Sequence, residues 1–138
     1  MTMKKIDHVN IVVSNLEESI TFFEDLGFAS QGINHLAGDW IEDVVGLKDV
    51  KARFVALAVP DGYEEQTVIE LIEYEQPKGS LDPDISQPNQ LGFRHMAFRV
   101  QNIEAWYEKL KAKNITFFSD IQRPQGLDGK YASKKLCY

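Results

Sequence analysis

Three residues of this sequence could do chemistry together: His8, Glu70 and His95. Imidazole and carboxylate form a nitrogen–oxygen donor set suited to zinc, nickel, cobalt, manganese or iron(II). His8 lies in IDHVNIVV, Glu70 in TVIELIEY and His95 in FRHMAFRV, each with the apolar alternation of a strand. Alternate side chains of a strand share a face. With Val9, Ile11 and Val13 packed under a helix, Ile6, His8, Asn10 and Val12 take the other face. In the same way Met96, Phe98 and Val100 turn inward and leave Phe93, His95, Ala97 and Arg99. Ile69 and Leu71 turn toward the helices and leave Val68, Glu70, Ile72 and Tyr74. Both histidines and Glu70 therefore fall on the face away from the helices. A carboxylate between Val68 and Ile72 is costly to desolvate unless a cation or hydrogen-bond donors meet it.

Each residue taken singly has an ordinary explanation. A strand histidine is commonly a hydrogen-bonded, half-exposed residue, and a glutamate or arginine on an open sheet face is commonly just solvated. What ties the histidines together is a repeat. Laying His8 on His95, an offset of 87 residues, also lays Val13 on Val100, Asn15 on Asn102, Leu16 on Ile103 and Glu17 on Glu104. Asn15 and Asn102 suit helix N-caps, with Glu17 and Glu104 in the first turn where the helix dipole favours negative charge. Gly27 falls on Asn114, and glycine and asparagine most easily take the left-handed conformation that stops a helix. Two copies of one module follow. His35, in a loop-like Asn-His context, and Cys137, near the end of the chain, receive no role.

These residues must be held by strands and helices in a regular order. Leu16, Ile20 and Phe23 make an apolar stripe on the first helix, and Ile103, Trp106 and Leu110 one on the second. Further strands are predicted over RFVALAV and TVIELIEY, parted by a turn at Pro60, Asp61 and Gly62. The proline-rich, apolar-poor EQPKGSLDPDISQPNQ reads as a linker between the modules. The segment from Ile33 to Leu47 fits either a short helix or a strand entry.

Composition narrows the function class. The 138 residues, 43% hydrophobic, suffice for one domain with a real core. The formal net charge of −6 and the absence of a long basic run argue against a nucleic-acid partner. No apolar run approaches a membrane span and no signal-peptide pattern is present. A single cysteine allows no internal disulfide, so a cytoplasmic protein is expected.

IDHVNIVVSNLEESITFFEDLGF, VIELIEY and FRHMAFRVQNIEAWYEKLKAKNI together resemble the vicinal oxygen chelate superfamily. That group includes glyoxalase I, methylmalonyl-CoA epimerase, extradiol dioxygenases and the fosfomycin and bleomycin resistance proteins. The resemblance implies an α+β fold in which two βαβββ modules form a curled mixed sheet around a cavity, with the helices outside, often within a homodimer. Residues 1–138 would be one such domain, with modules over about 4–75 and 91–138 and a linker over about 76–90. By position, the resemblance implies that His8 and Glu70 are metal ligands of the first module and His95 the first ligand of the second. A further carboxylate belongs on the closing strand of the second module. Its place, 87 residues after Glu70, lies beyond Tyr138, so that module is expected to be incomplete and the sequence part of a longer protein.

The function implied is that of a metal-dependent lyase or isomerase of glyoxalase I-like type. Its substrate would be a small α-oxygenated carbonyl compound or its thiol adduct. Zinc, nickel, cobalt or manganese would polarise two neighbouring oxygens, and Glu70 would move the proton α to the carbonyl. Arg99 would hold an anionic substrate group. The alternatives are an iron(II) extradiol-type dioxygenase and a metal-free protein that sequesters a ligand in the same cavity.

Overall fold

The structure is a computed structural model of the chain, which describes residues 6–62, 66–80, 95–117, 119–123 and 135. Two compact units are present, Met1–Ile85 and Ser86–Tyr138.

In the first unit, the alternation read in the sequence becomes strand β1 (His8–Val12), with Val9 and Ile11 half-buried and His8, Asn10 and Val12 exposed. Helix α1 (Leu16–Asp25) follows, then β2 (Ala29–Ala37), a short helix α2 (Asp39–Val45), β3 (Lys51–Ala58) and β4 (Val68–Gln76). The strands form an open mixed sheet in the order β1-β4-β3-β2. β1 runs parallel to β4, while β3 is antiparallel to both β4 and β2. A parallel pair needs a long crossover, and here the whole α1-to-β3 segment supplies it. The predicted Pro60-Asp61-Gly62 turn is formed, with Asp61 in the left-handed region and the Gly62 amide bonded to the Val59 carbonyl at 3.1 Å.

Each face of the sheet has its own helix. α1 lies against β2, β3 and β4, and its buried Leu16 and Phe23 meet the sheet face that carries Val55, Leu57, Ile69 and Leu71. Leu16, Leu57, Leu71 and Val55 are fully buried, each stabilising the fold by about 1.5–3 kcal/mol relative to exposure. The segment that the sequence left open is the end of β2 followed by α2. Gly46 ends α2 in the left-handed conformation at φ 71°, its amide bonded to the Glu42 carbonyl at 2.8 Å. α2 covers one end of the other sheet face, where Ile41 packs with Val50, Ala52 and Ile72, flanked by Leu36, Val45, Phe54 and Tyr74.

In the second unit, helix α3 (Ile103–Ala112) repeats three capping bonds of α1. The Asn15 side chain accepts from the Glu18 amide at 3.1 Å, and that of Asn102 from the Ala105 amide at 3.0 Å. At the other end Gly27 N–H bonds Glu24 O and Phe28 N–H bonds Phe23 O. Asn114 to Lys111 and Ile115 to Leu110 match them at the same offset. Gly27 and Asn114 both have positive φ, 92° and 61°.

Two expectations differ from the structure here. Residues 95–100, expected as a strand, are in no ladder among the described residues, and Phe98 is exposed rather than packed inward. On α3 the buried residue is Tyr107, beside the half-buried stripe of Ile103, Trp106 and Leu110. Its hydroxyl donates to Asp120 at 2.6 Å, which lets a tyrosine be buried without an unmet polar group. The closing strand expected for the second module, Phe93, Cys137 and most of the linker lie outside the described residues. Among the described residues, no helix is long and apolar enough to cross a membrane.

Candidate functional site

The pleat of β1 sends His8 to the sheet face that α1 does not cover, and the pleat of β4 sends Glu70 to the same face. The parallel register pairs His8 with Val68 and Asn10 with Glu70. His8 and Glu70 thus meet diagonally, with Nε2 and Oε2 3.5 Å apart. The His8 side chain is 44% exposed and that of Glu70 25%, so the pair is open to a ligand yet partly shielded. Glu70 has Asn10 on one side and Ala56 of β3 on the other. The charge flanked by Val68 and Ile72 is therefore met by an imidazole.

The other imidazole nitrogen is also held. His8 Nδ1–H donates to Asp7 Oδ2 at 3.0 Å. That hydrogen bond is the main reason the imidazole titrates above its ordinary value; burial opposes it, and the charges of Glu70 and Asp7 add to it. A carboxylate on Nδ1 fixes the tautomer and presents Nε2 as the free donor, which is the arrangement around many metal-bound histidines. Sequence reasoning missed Asp7. The signal available was the Asp-His dipeptide itself, with an acidic neighbour directly before the candidate ligand.

The donor chemistry of the pair fits a divalent ion. Two ligand atoms about 2.0–2.2 Å from one ion, at tetrahedral or octahedral angles, stand about 3–3.5 Å apart, close to the spacing of Nε2 and Oε2. Among the described residues, no group of three or more histidine, cysteine, aspartate or glutamate side chains is set to hold a metal. The structure therefore brings together two of the three expected ligands. His95 and Arg99 belong to the second unit, in the segment 95–100, and both are exposed there. His35, read as a loop residue, is in β2 and pairs in register with Arg53, which places it on the α1 side of the sheet, away from His8.

That α1 side carries a different cluster. Arg53 bonds Glu17 of α1 at 2.6 and 3.1 Å and Glu73 of β4 at 2.6 Å. Glu73 also accepts from the backbone amide of Leu16 at 3.0 Å, fastening the start of α1 to the sheet. Here one guanidinium is shared among Glu17, Glu73 and Glu75, and Glu73 also holds a helix end, so this cluster ties α1 to the sheet.

The first unit is thus a strand-helix-strand-strand-strand arrangement, with a short additional helix, whose sheet face away from α1 bears a histidine–carboxylate pair. The model of the Glyoxalase/Bleomycin resistance protein/Dioxygenase superfamily matches residues 5–132, and the chain belongs to that superfamily. Its members commonly bind divalent metals. The crystal structure of a glyoxalase family protein from Bacillus cereus is similar over 100% of this chain and 87% of that one, at 25% identity and a TM-score of 0.86. The crystal structure of SMU.1112c shares the fold at a TM-score of 0.63, with 23% identity over 99% of this chain and 90% of that one. None of the curated proteins compared with the chain matches it.

Proposed function

We propose that this chain is a metal-dependent lyase or isomerase of glyoxalase I-like type, acting on a small α-oxygenated carbonyl compound or its thiol adduct. The observation that carries the reading is the 3.5 Å approach of His8 Nε2 to Glu70 Oε2 on the face left open by α1. His8 and Glu70 would hold the ion. When bound, a divalent ion supplies Lewis-acid polarisation of two neighbouring substrate oxygens. Asp7 keeps the His8 imidazole in the tautomer and orientation that point Nε2 at the site. Glu70, a carboxylate on the substrate face, takes the proton α to the carbonyl and returns it at the neighbouring carbon or oxygen. The superfamily resemblance adds His95 as a further ligand, and Arg99, close to it in the sequence, is proposed as a contact for an anionic group, each tested by its own alanine variant. A homodimer also follows from the resemblance and is tested by light scattering.

The metal content of the purified protein, measured by elemental mass spectrometry without added chelator, tests the reading. Near-stoichiometric nickel, zinc, cobalt or manganese is expected. Iron would shift the assignment to an extradiol-type dioxygenase. No metal, and none taken up on titration, would overturn the enzyme reading. The His8–Glu70 contact would then be an imidazolium–carboxylate pair in a ligand-sequestering protein.

A further inference from the structure

The sheet face that bears His8 and Glu70 is crossed by rows of side chains set by the strand register. One row is Asn10, Glu70 and Ala56; the next, toward α2, is Val12, Ile72 and Phe54; beyond it Tyr74 stands beside Ala52. Ile72 and Ala52 are buried with Ile41, and Phe54 and Tyr74 pack around them. Val12, at the outer end of its row, is 58% exposed. Asn34 of β2 ends the Val12–Ile72–Phe54 row beside Phe54. Across β1, β4 and β3 the surface therefore changes from polar to apolar within one step of the pleat, about 7 Å.

Charge points the same way. Among the described residues, β1, β2, α2 and β4 contain no lysine or arginine. Arg53 of β3 lies on the α1 side, engaged by Glu17 and Glu73, and Lys51 pairs with Gln76 at the far end of β4, beyond a break in the register. A polyanionic ligand on this face would meet Glu70 and none of these cations, and an unpaired charge is costly to desolvate. An uncharged apolar group would instead cover Val12 and the exposed parts of Phe54 and Tyr74, removing apolar surface from water.

We infer that the substrate carries its neighbouring oxygens at one end and an uncharged apolar body at the other, lying along Val12, Ile72 and Phe54 toward α2. This rests on the function proposed above and deepens it. It favours an alkyl or aryl carbonyl compound, charged at most at its oxygen-bearing end where Arg99 would meet it, over a polyanionic thiol conjugate or a nucleotide-bearing ester.

The test is a titration of the full chain, 15N-labelled, with three hydroxamates that share a pair of neighbouring oxygens: acetohydroxamate, octanohydroxamate and succinate monohydroxamate. It is run metal-free and with Mn2+, whose paramagnetic broadening marks where the ion sits. The expected result is broadening at His8 and Glu70, with octanohydroxamate binding at least tenfold more tightly than acetohydroxamate and shifting the amides of Val12, Phe54 and Ile72. Val12→Asp is expected to lower the octanohydroxamate affinity at least fivefold and leave the manganese broadening as it was. Octanohydroxamate binding no tighter than acetohydroxamate, or tightest binding by the succinate derivative, would overturn the inference. Tenfold chain-length selectivity at the same amides without broadening at His8 and Glu70 would remove the metal reading and uphold the apolar ligand.

Discussion

His8 and Glu70 lie on adjacent parallel strands, one register step apart, so that Nε2 and Oε2 meet on the diagonal at 3.5 Å. Directly across the ladder His8 faces Val68 and Glu70 faces Asn10. The diagonal is what lets one histidine and one carboxylate from segments 62 residues apart share a ligand site on an otherwise apolar sheet face.

Because both side chains point away from the α1-packed core, their removal is expected to affect chemistry more than folding. Glu70→Gln should lower turnover on an identified substrate by about 10²-fold or more, the typical contribution of a positioned base, with Tm little changed. His8→Ala should abolish tight metal binding while circular dichroism stays native. An unchanged rate in the first variant would remove Glu70 from the mechanism.

Asp7 is predicted to act through His8. Asp7→Asn keeps an acceptor near Nδ1 but removes the charge, and is expected to weaken metal affinity by about 10–100-fold, the usual effect of losing such a partner. Asp7→Glu should restore part of the loss. Isothermal titration with zinc measures both, and equal affinity in all three proteins would leave Asp7 a surface residue.

Arg53 and Glu17 set a pH dependence. The Arg53 guanidinium, by its hydrogen bond foremost, holds the Glu17 carboxyl below the usual carboxylate range. A lowered native value means that the pair stabilises the fold above the unfolded pKa, about 4.3, and that the contribution is lost as pH falls through the native value. Thermal melts of the native protein and Glu17→Gln should therefore differ at pH 7 and converge in acid. A gap that persists at the lowest pH would show that the hydrogen bonds matter and the charge does not.

The matched helix ends give a paired prediction. Gly27→Ala forces a side chain onto φ 92° and is expected to destabilise by about 1–2 kcal/mol. Asn114→Gly, at φ 61°, should be tolerated. Asn15→Ala and Asn102→Ala should each remove about 1 kcal/mol with the loss of a capping bond. Urea denaturation read by circular dichroism distinguishes these, and a neutral Gly27→Ala would mean that the left-handed turn is not required.

The sequence by itself determined what depends on near neighbours. The period-two alternation assigned His8, Asn10 and Val12 to one face of β1 and Val9 and Ile11 to the other. Cap chemistry placed the ends of α1 and α3, and the 87-residue offset reappears in three matched pairs of hydrogen bonds. These are short-range rules of pleat and helix termination, and they act wherever the residues occur. Tertiary structure alone decided which strands became neighbours. The order β1-β4-β3-β2 set Glu70 beside His8 and moved His35 to the far face. It also drew Arg53, Glu17 and Glu73 into one cluster. The fate of Ile33 to Leu47 was decided in the same way, because an apolar segment of that length becomes a helix or a strand according to the surface it can cover. Here α2 closes over Ala52 and Ile72 and leaves the Val12–Phe54 row beside the site. Strand partnership and face coverage are set by packing between distant segments, and that information is not carried by any one stretch of the chain.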